Sequence, residues 1–256
     1  MKKHSDEMPQ IGFGTYLIAD NDAEKIVNTA IKVGYRHIDT AEGYGNETGI
    51  GNALKKVHIN YNLKREDIFL TTKLFPGNPQ WGREAKNYSD CISACDNSLS
   101  RLGLDYLDCY LIHAPFCADH RLEQWNALVD LKKAGKLKSI GVSNYSEKHI
   151  QEIIDAGLEV PEVNQIELHP WCQKTDLVSF LEQKSIKIVA YSSLVPLDTW
   201  REKPNQDSAK SEKMKKDGAD ENSFFKKLSK KYTVTEAQIL LKWGLQKGFV
   251  ILPKSS

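Results

Sequence analysis

The sequence predicts an α/β fold, a single closed TIM barrel of eight parallel strands in which each strand is followed by a helix. Eight short apolar runs, rich in β-branched and aromatic residues, alternate with stretches of helical periodicity along the 256 residues. The runs are continuously apolar, which indicates strands buried on both faces and therefore a parallel sheet. Eight such units in a chain of this length are typical of a (β/α)₈ barrel, and we expect one domain over residues 1–256.

The predicted elements follow one another in a regular strand-then-helix order. The strands are short apolar runs bounded by turn residues, and they cover 11–18, 35–39, 67–73, 107–113, 139–144, 163–168, 186–191 and 249–254. Several helices begin at Ser, Thr or Asn and end at Gly, as capped helices do, and they cover 23–34, 87–103, 122–135, 146–157, 175–184 and 235–248. The alternative is a doubly wound open sheet. It usually carries G-x-G-x-x-G after the first strand, a pattern that the GFGTYL at 12–17 does not match.

Composition excludes several classes of partner. The chain has 35 Lys and Arg against 34 Asp and Glu, a net charge of +1, so it has no field to hold nucleic acid or an anionic membrane. No apolar run is long enough to span a bilayer, and the first ten residues lack the apolar core of a signal peptide. The five cysteines form no C-x-x-C pair, which favours reduced thiols and no metal site. We expect a cytoplasmic monomer that binds small molecules.

A polar, lysine-rich segment at 197–222 separates the seventh strand from its helix. It is long for a barrel loop. Its composition alone indicates a disordered surface loop. Its position on the face where barrels bind ligands also allows a lid that covers the ligand.

Polar side chains stand at or near the ends of most predicted strands. A barrel interior is packed with apolar side chains, so an ionisable residue at a strand end is either paired or functional. These ends converge on one opening of the barrel, and the polar residues that they bring there are Asp39, Lys73, His113, Asn144, Gln165, Glu167 and Tyr191. We therefore predict a functional site at this opening.

Four of the residues around this opening are complementary in their chemistry. Tyr44 follows Asp39 on the next loop, and a neighbouring Lys73 ammonium would lower its pKa from about 10 and make the phenol a usable acid. Asp39 would hold Lys73, and His113 would donate a hydrogen bond to a substrate oxygen. The group would suit protonation of a carbonyl oxygen as negative charge develops on it. Each residue also has a structural explanation, as a core ion pair, a core histidine or an exposed aromatic residue.

Several strings of the sequence resemble the aldo-keto reductase family. Two of its signatures are similar to GYRHIDTAEGYGNE at 34–47 and LDYLDCYLIHAP at 104–115, and the start of a third is similar to FVILPKSS at 249–256. The intervening strands also follow the family, in GVSNY at 141–145, VNQIELHP at 163–170 and AYSSL at 190–194. The resemblance extends from about Met8 to the last residue. It implies the barrel already predicted from the alternation of strands and helices.

The resemblance implies a reductase of aldehydes and ketones that uses NADPH without metal or flavin. The catalytic residues that it implies are Asp39, Tyr44, Lys73 and His113, the same group that the strand ends indicate. The cofactor residues that it implies are Ser143, Asn144, Gln165, Tyr191, Ser192, Leu194, Lys254 and Ser255. Among them Tyr191 would stack on the nicotinamide, and Lys254 would pair with the 2′-phosphate of NADP. Ser192 and Leu194 would meet the pyrophosphate, which supports the lid interpretation of segment 197–222.

The chain departs from the family pattern at the substrate pocket and at its end. Ala114 stands where many members carry Trp, so we expect a wider pocket. Four aromatic residues would form a rim, namely Tyr16, Phe75, Trp81 and Phe116, the first two in places often held by Trp. The sequence stops at Ser256, where the family continues through an Arg and an Asn to a final helix and a tail. We expect a barrel without these parts, from an incomplete sequence or with a weakened cofactor site.

The resulting hypothesis is NADPH-dependent reduction of aldehydes, with aldoses or ketones as further substrates and Tyr44 as the proton donor. A second hypothesis is a Schiff-base lyase or aldolase that uses Lys73, although a lysine beside Asp39 should stay charged and an amine nucleophile must be neutral. A third hypothesis is a cofactor-binding regulatory or structural barrel with little turnover.

Overall fold

The computed structural model describes residues 3–194, 220 and 223–254. Eight strands form one sheet in the order of the chain, and every neighbouring pair is parallel. In chain order the strands are β1 Phe13–Gly14, β2 His37–Asp39, β3 Phe69–Leu74, β4 Leu107–Ile112, β5 Leu137–Ser143, β6 Val163–Glu167, β7 Lys187–Tyr191 and β8 Val250–Ile251. The prediction of eight parallel strands is confirmed.

The first and last strands close the sheet into a barrel. The amide of Gly12 donates to the carbonyl of Ile251, and the amide of Gly14 donates to that of Pro253, each over 2.9 Å. In the opposite direction the amide of Ile251 donates to the carbonyl of Gln10 over 2.9 Å. These bonds leave no free sheet edge between β1 and β8.

The described residues form helices α1 to α9. In chain order they are α1 Asp20–Lys32, α2 Glu47–Lys55, α3 Val57–Tyr61, α4 Tyr88–Leu102, α5 Arg121–Lys133, α6 Glu147–Asp155, α7 Thr175–Gln183, α8 Phe224–Tyr232 and α9 Glu236–Gln246. All six predicted helices are present, with ends shifted by a few residues. The caps account for their positions: Asn87 accepts a hydrogen bond from the Asp90 amide at the start of α4, and Gly103 ends that helix with φ +66°.

The helix α2 was not predicted, because its sequence ETGIGNALK contains two glycines, which are poor helix formers. The structure gives both glycines a packing role. A Cβ on Gly49 would lie 2.2 Å from the carbonyl oxygen of Asp20 in α1, and one on Gly51 would lie 2.5 Å from that of Leu102 in α4. The glycines therefore let α2 approach both neighbours closely, and tertiary packing offsets its weak intrinsic propensity.

Two predicted strands are longer than the observed ones. The run 11–18 contributes only Phe13–Gly14 to the sheet, because the chain turns after Thr15, whose hydroxyl donates to the carbonyl of Asp39 over 2.9 Å. The run 249–254 contributes only Val250–Ile251. Of the remaining residues of these runs, 15–17 and 252–254 line the cavity described below.

Apolar packing fills two layers. One cluster lies between the strands and the surrounding helices, with Trp125, Ile38 and Leu70 among its fully buried members. A second, smaller cluster fills the barrel interior and consists of Met8, Phe69, Cys109, Leu111, Val163, Val189, Val250 and Leu252.

Across the described parts of the chain, no helix is long and apolar enough to cross a membrane. The same parts contain no group of three or more His, Cys, Asp or Glu side chains placed to hold a metal ion, and all five cysteines are free. Of the segment 197–222, interpreted above as a loop or a lid, the structure describes only Asp220. The prediction therefore lies outside the described residues.

Candidate active site

A cavity of about 490 Å³ opens at the carboxyl ends of the strands. Nearly all the residues predicted for the site line it, namely Tyr16, Asp39, Tyr44, Phe75, Trp81, His113, Ala114, Phe116, Ser143, Asn144, Gln165, Tyr191, Ser192, Leu194 and Lys254. Lys73 lies beneath the cavity floor with its side chain fully buried. Ser255 lies outside the described residues. The strand ends therefore meet in one place, as the barrel topology requires.

Lys73 and Asp39 form a buried ion pair below the cavity. The Nζ of Lys73 lies 2.6 Å from Oδ1 of Asp39 and donates to the carbonyl oxygen of Thr40 over 2.8 Å. Burial by itself would lower the pKa of Lys73, but the charge of Asp39 and the hydrogen bonds outweigh it and hold the pKa above its usual value. The lysine therefore stays charged at neutral pH.

Tyr44 ends a short 3₁₀ turn, Glu42–Tyr44, on the loop after β2. Its hydroxyl lies 3.5 Å from the Nζ of Lys73, and the same Nζ stands 5.0 Å from the centre of its ring. Burial raises the pKa of the phenol, and Lys73 offsets this only in part, so the pKa lies above its ordinary value. The predicted lowering of the pKa of Tyr44 is therefore wrong. The consequence is a phenol that carries its proton throughout the neutral range.

His113 follows β4 directly and packs against Tyr44. The two rings meet edge to face with their centroids 5.6 Å apart. Burial, assisted by the charge of Lys73, lowers the pKa of His113 to about 3. Its Nδ1 atom is buried and finds no hydrogen-bond partner among the residues that the structure describes. The imidazole is neutral at physiological pH and can donate one N–H to a ligand oxygen.

Amide and hydroxyl groups line the wall beside this pair. Asn144 has φ +61°, in the left-handed region that Asn tolerates better than most residues. Its Nδ2 donates to the carbonyl of His113 over 3.0 Å and to the Ser143 hydroxyl over 3.1 Å, and its Oδ1 accepts from the Tyr191 hydroxyl over 2.6 Å. Gln165 donates to Oδ2 of Asp39 over 2.8 Å. These bonds fix the predicted cofactor residues relative to the ion pair.

The donor set fits a nicotinamide dinucleotide. An aromatic ring from Tyr191 lies in the cavity wall next to the amides of Asn144 and Gln165, which suits a flat heteroaromatic ring with a carboxamide. Lys254, an exposed cation at the end of β8, lines the same cavity and suits a phosphate. Ser192 and Leu194 lie on the lining after β7, where Ser192 also adopts a positive φ of 61°.

Aromatic side chains form the outer wall of the cavity. Trp81 is 67% exposed and lies 5.2 Å from Phe116 between ring centroids. Tyr16 lies 5.0 Å from the ring of Tyr44. Ala114 is buried in the wall and contributes only a methyl group. An apolar part of a ligand would be desolvated against this wall.

The sequence reasoning missed some residues of the site. Leu17, Ser193 and Pro253 line the cavity from the loops after β1, β7 and β8. The signal that could have found them was their position at the carboxyl ends of the predicted strands 11–18 and 249–254, and just beyond the predicted strand 186–191. Glu42, which accepts a hydrogen bond from the amide of Phe75 over 2.9 Å, carried no such signal because its partner lies far away in sequence.

Comparison with known proteins agrees with this geometry. A model of the Aldo/keto reductase family matches residues 10–256. The chain is 37% identical over 249 residues to methylglyoxal reductase DkgA of Escherichia coli strain K12, an alignment that covers 97% of this chain and 79% of the relative. It is 36% identical over 273 residues to D/L-glyceraldehyde reductase of Hypocrea jecorina, covering 97% of this chain and 77% of the relative.

A solved structure supports the same relationship. The crystal structure of an aldo/keto reductase from Brucella melitensis aligns with a TM-score of 0.78 at 37% sequence identity. The alignment covers 96% of this chain and 84% of that chain. The similarity therefore extends over the barrel and the residues that surround its cavity.

Proposed function

The chain belongs to the aldo/keto reductase family, and from this premise we propose that it reduces aldehydes to alcohols with NADPH, with Tyr44 as the proton donor. The observation that carries the proposal is the contact between the protonated phenol of Tyr44, which lines a ligand-sized cavity, and a charged lysine buried beneath that cavity. A bound dihydronicotinamide would supply the hydride. The residues proposed to hold it are Ser143, Asn144, Gln165 and Tyr191 around the ring, and Ser192, Leu194, Lys254 and Ser255 at the phosphates.

The protein residues manage the charge that develops on the carbonyl oxygen. Tyr44 gives its proton to that oxygen, and Lys73, 3.5 Å from the phenol oxygen, stabilises the phenolate that remains. Asp39 keeps Lys73 charged and in place. His113 is neutral, so it can orient the carbonyl oxygen through an N–H without bringing a second full charge. An aldehyde, a hydride and a proton together give the alcohol.

The names of two relatives support small aldehydes as the proposed substrates. Methylglyoxal and glyceraldehyde stand in the names of two proteins that are over a third identical to this chain. Both are aldehydes with an oxygen on the next carbon. The aromatic wall and the small Ala114 also leave room for larger, apolar aldehydes. Action as a cytoplasmic monomer stays a prediction from composition.

The Schiff-base alternative is disfavoured by the state of Lys73. An amine nucleophile must be neutral and must reach the substrate. This lysine is fully buried, is paired with Asp39 at 2.6 Å and has a pKa above its usual value. Borohydride would therefore trap no substrate on Lys73.

The test is the Tyr44→Phe variant, assayed by NADPH oxidation with methylglyoxal and with glyceraldehyde. We expect turnover to fall by about 10²–10⁴-fold, as for loss of a general acid, with NADPH binding unchanged by fluorescence titration. Tyr88→Phe is the matched control, because it removes an exposed phenol of α4 that bonds to Asp130. Equal turnover by Tyr44→Phe and wild type would exclude Tyr44 as the donor. Tight NADPH binding by a wild type that reduces no aldehyde would favour the regulatory alternative.

A further inference from the structure

Residues 75–86 form a compact loop after β3, which we call the Trp81 hairpin. Asn78 and Arg83 pair as an antiparallel bridge within it, with backbone hydrogen bonds of 2.9 and 3.0 Å. The hairpin carries Phe75 at its base and Trp81 at its tip, and both side chains line the cavity. The position of the aromatic wall therefore depends on how this hairpin is attached to the barrel.

The base of the hairpin is attached to the barrel at Pro76 and Lys86. The amide of Lys86 donates to the carbonyl of Pro76 over 2.9 Å and so joins the two ends of the hairpin. From α5, Gln124 donates its buried side-chain amide to the carbonyls of Pro76 and Lys86, over 3.0 and 2.8 Å. These contacts attach the base of the hairpin to α5.

Glu42 and Lys86 hold the backbone of Phe75 from both directions. Glu42 accepts the backbone N–H of Phe75 over 2.9 Å, and Lys86 donates its ammonium to the carbonyl of Phe75 over 2.6 Å. The ammonium and the carboxylate are themselves paired at 3.1 Å. Both side chains are only about one-quarter exposed, at 22% and 24%, so solvent screens the pair less than it would a surface pair.

Glu42 also belongs to the turn that carries the proton donor. It begins the 3₁₀ turn that ends at Tyr44. The ion pair therefore joins the Tyr44 turn to the Trp81 hairpin across a sequence separation of 44 residues. Tyr44 has further contacts of its own, with Lys73 and with the ring of His113. The hairpin keeps its attachment to Gln124 and the contact of Trp81 with Phe116 when the pair is lost. Loss of the pair would therefore loosen the hairpin at Phe75, without detaching it, and leave Tyr44 in place.

We propose that Glu42 and Lys86 are positioning residues that fix the Trp81 hairpin against the turn of Tyr44 and thereby set the distance between the aromatic wall and the proton donor. The inference rests on the proposed function, because it assigns acceptor selection to the same cavity. It predicts that the pair matters most for aldehydes large enough to touch Phe75 or Trp81. A small aldehyde such as methylglyoxal reaches the proton donor without touching the outer wall.

The kinetic test compares 2-naphthaldehyde with methylglyoxal in Glu42→Gln and Lys86→Met. We expect kcat/KM for naphthaldehyde to fall about ten-fold, mainly through KM, and that for methylglyoxal to change less than about two-fold. The double variant should be less impaired than the two single losses together predict, because both substitutions break the same ion pair. Glu159→Gln is the control for the loss of a carboxylate, since Glu159 is exposed and pairs with Lys132 ahead of β6, at the other end of the barrel.

Hydrogen exchange of the peptide over residues 75–86 tests the pair without any turnover. Exchange should speed up in both single variants and stay at the wild-type rate in Glu159→Gln. Unchanged exchange, or an equal loss of kcat/KM with both aldehydes, would overturn the positioning role. A wild type that reduces neither aldehyde would refute the proposed function alone, and faster exchange in the variants would then still support the structural role of the pair.

Discussion

Gln165 donates its side-chain amide to Oδ2 of Asp39 over 2.8 Å and so joins β6 to β2 across the barrel. The other oxygen of the same carboxylate holds Lys73 at 2.6 Å. One carboxylate thus connects the residue proposed to bind the carboxamide with the residue that contacts Tyr44. The two carboxylate oxygens of Asp39 accept hydrogen bonds from two different donors, Lys73 and Gln165. Replacing either oxygen with an NH₂ group would place a donor against a donor.

The first prediction is that Asp39→Asn strongly destabilises the protein. The new amide would either face the NH₂ of Gln165 donor to donor or lose its contact with Lys73, which would then be a buried charge without its partner. Removing one member of a buried pair costs about 3–5 kcal/mol. Urea unfolding measures the loss.

The double variant Asp39→Asn with Lys73→Met separates the two causes. If the unpaired ammonium is responsible, the double variant should be more stable than the sum of the single losses predicts. Strictly additive losses would contradict the electrostatic account.

The second prediction concerns the pH dependence of reduction. The pKa of His113 is lowered to about 3 and that of Tyr44 is raised by burial, so both groups keep one protonation state across the neutral range. We expect kcat/KM for methylglyoxal to be flat between pH about 6 and about 9. Circular dichroism at each pH shows that the fold is intact. A limb with a midpoint inside this range, lost in Tyr44→Phe or in His113→Gln, would contradict these assignments.

The fold and the floor of the site could be predicted for two reasons. Buried parallel strands are recognisable as continuous apolar runs, and a barrel brings the carboxyl ends of its strands together. Asp39, Lys73 and His113 were found from that rule, and the structure places them around Tyr44. The direction of the pKa shift of Tyr44 could not be predicted. It depends on whether burial or Lys73 dominates, and burial follows from packing that no local pattern specifies.

Contacts between distant loops are the other part that local patterns could not predict. Glu42 and Lys86 stand in ordinary loop sequence, and only the folded chain brings them to Phe75. The helix α2 was missed for a related reason, since the glycines that make it a poor helix are the ones that let it pack. Where close approach or long-range pairing decides the structure, the sequence signal is weak or misleading.

The third prediction is that His37 makes stability depend on pH. This residue of β2 is buried, its Nε2 lies 3.0 Å from the Thr71 hydroxyl, and burial lowers its pKa to about 4 despite the opposing effect of Asp39. The unfolded chain, with an ordinary histidine pKa of about 6.5, binds more protons than the folded chain between these values. Stability is therefore full above pH about 6.5 and falls as the pH drops towards 4.

The change expected from His37 is roughly 3 kcal/mol between these pH values, from about 1.4 kcal/mol for each pKa unit. Urea unfolding at pH about 7 and at pH about 5 should show a smaller difference for His37→Gln than for wild type. His58→Gln changes an exposed histidine of α3 and is the control. An unchanged pH dependence in His37→Gln would show that the buried imidazole is not responsible.

The fourth prediction is that Lys254→Met weakens binding of NADPH but not of NADH. Lys254 is an exposed cation that lines the cavity after β8. A charge-assisted bond to a phosphate contributes about 1.5–3 kcal/mol, so the Kd for NADPH should rise about ten-fold or more, while NADH lacks the 2′-phosphate. Fluorescence titration with both cofactors measures this. Lys247→Met, at the other end of the barrel, controls for net charge. An equal loss of affinity for NADPH and NADH in Lys254→Met would place Lys254 away from the 2′-phosphate.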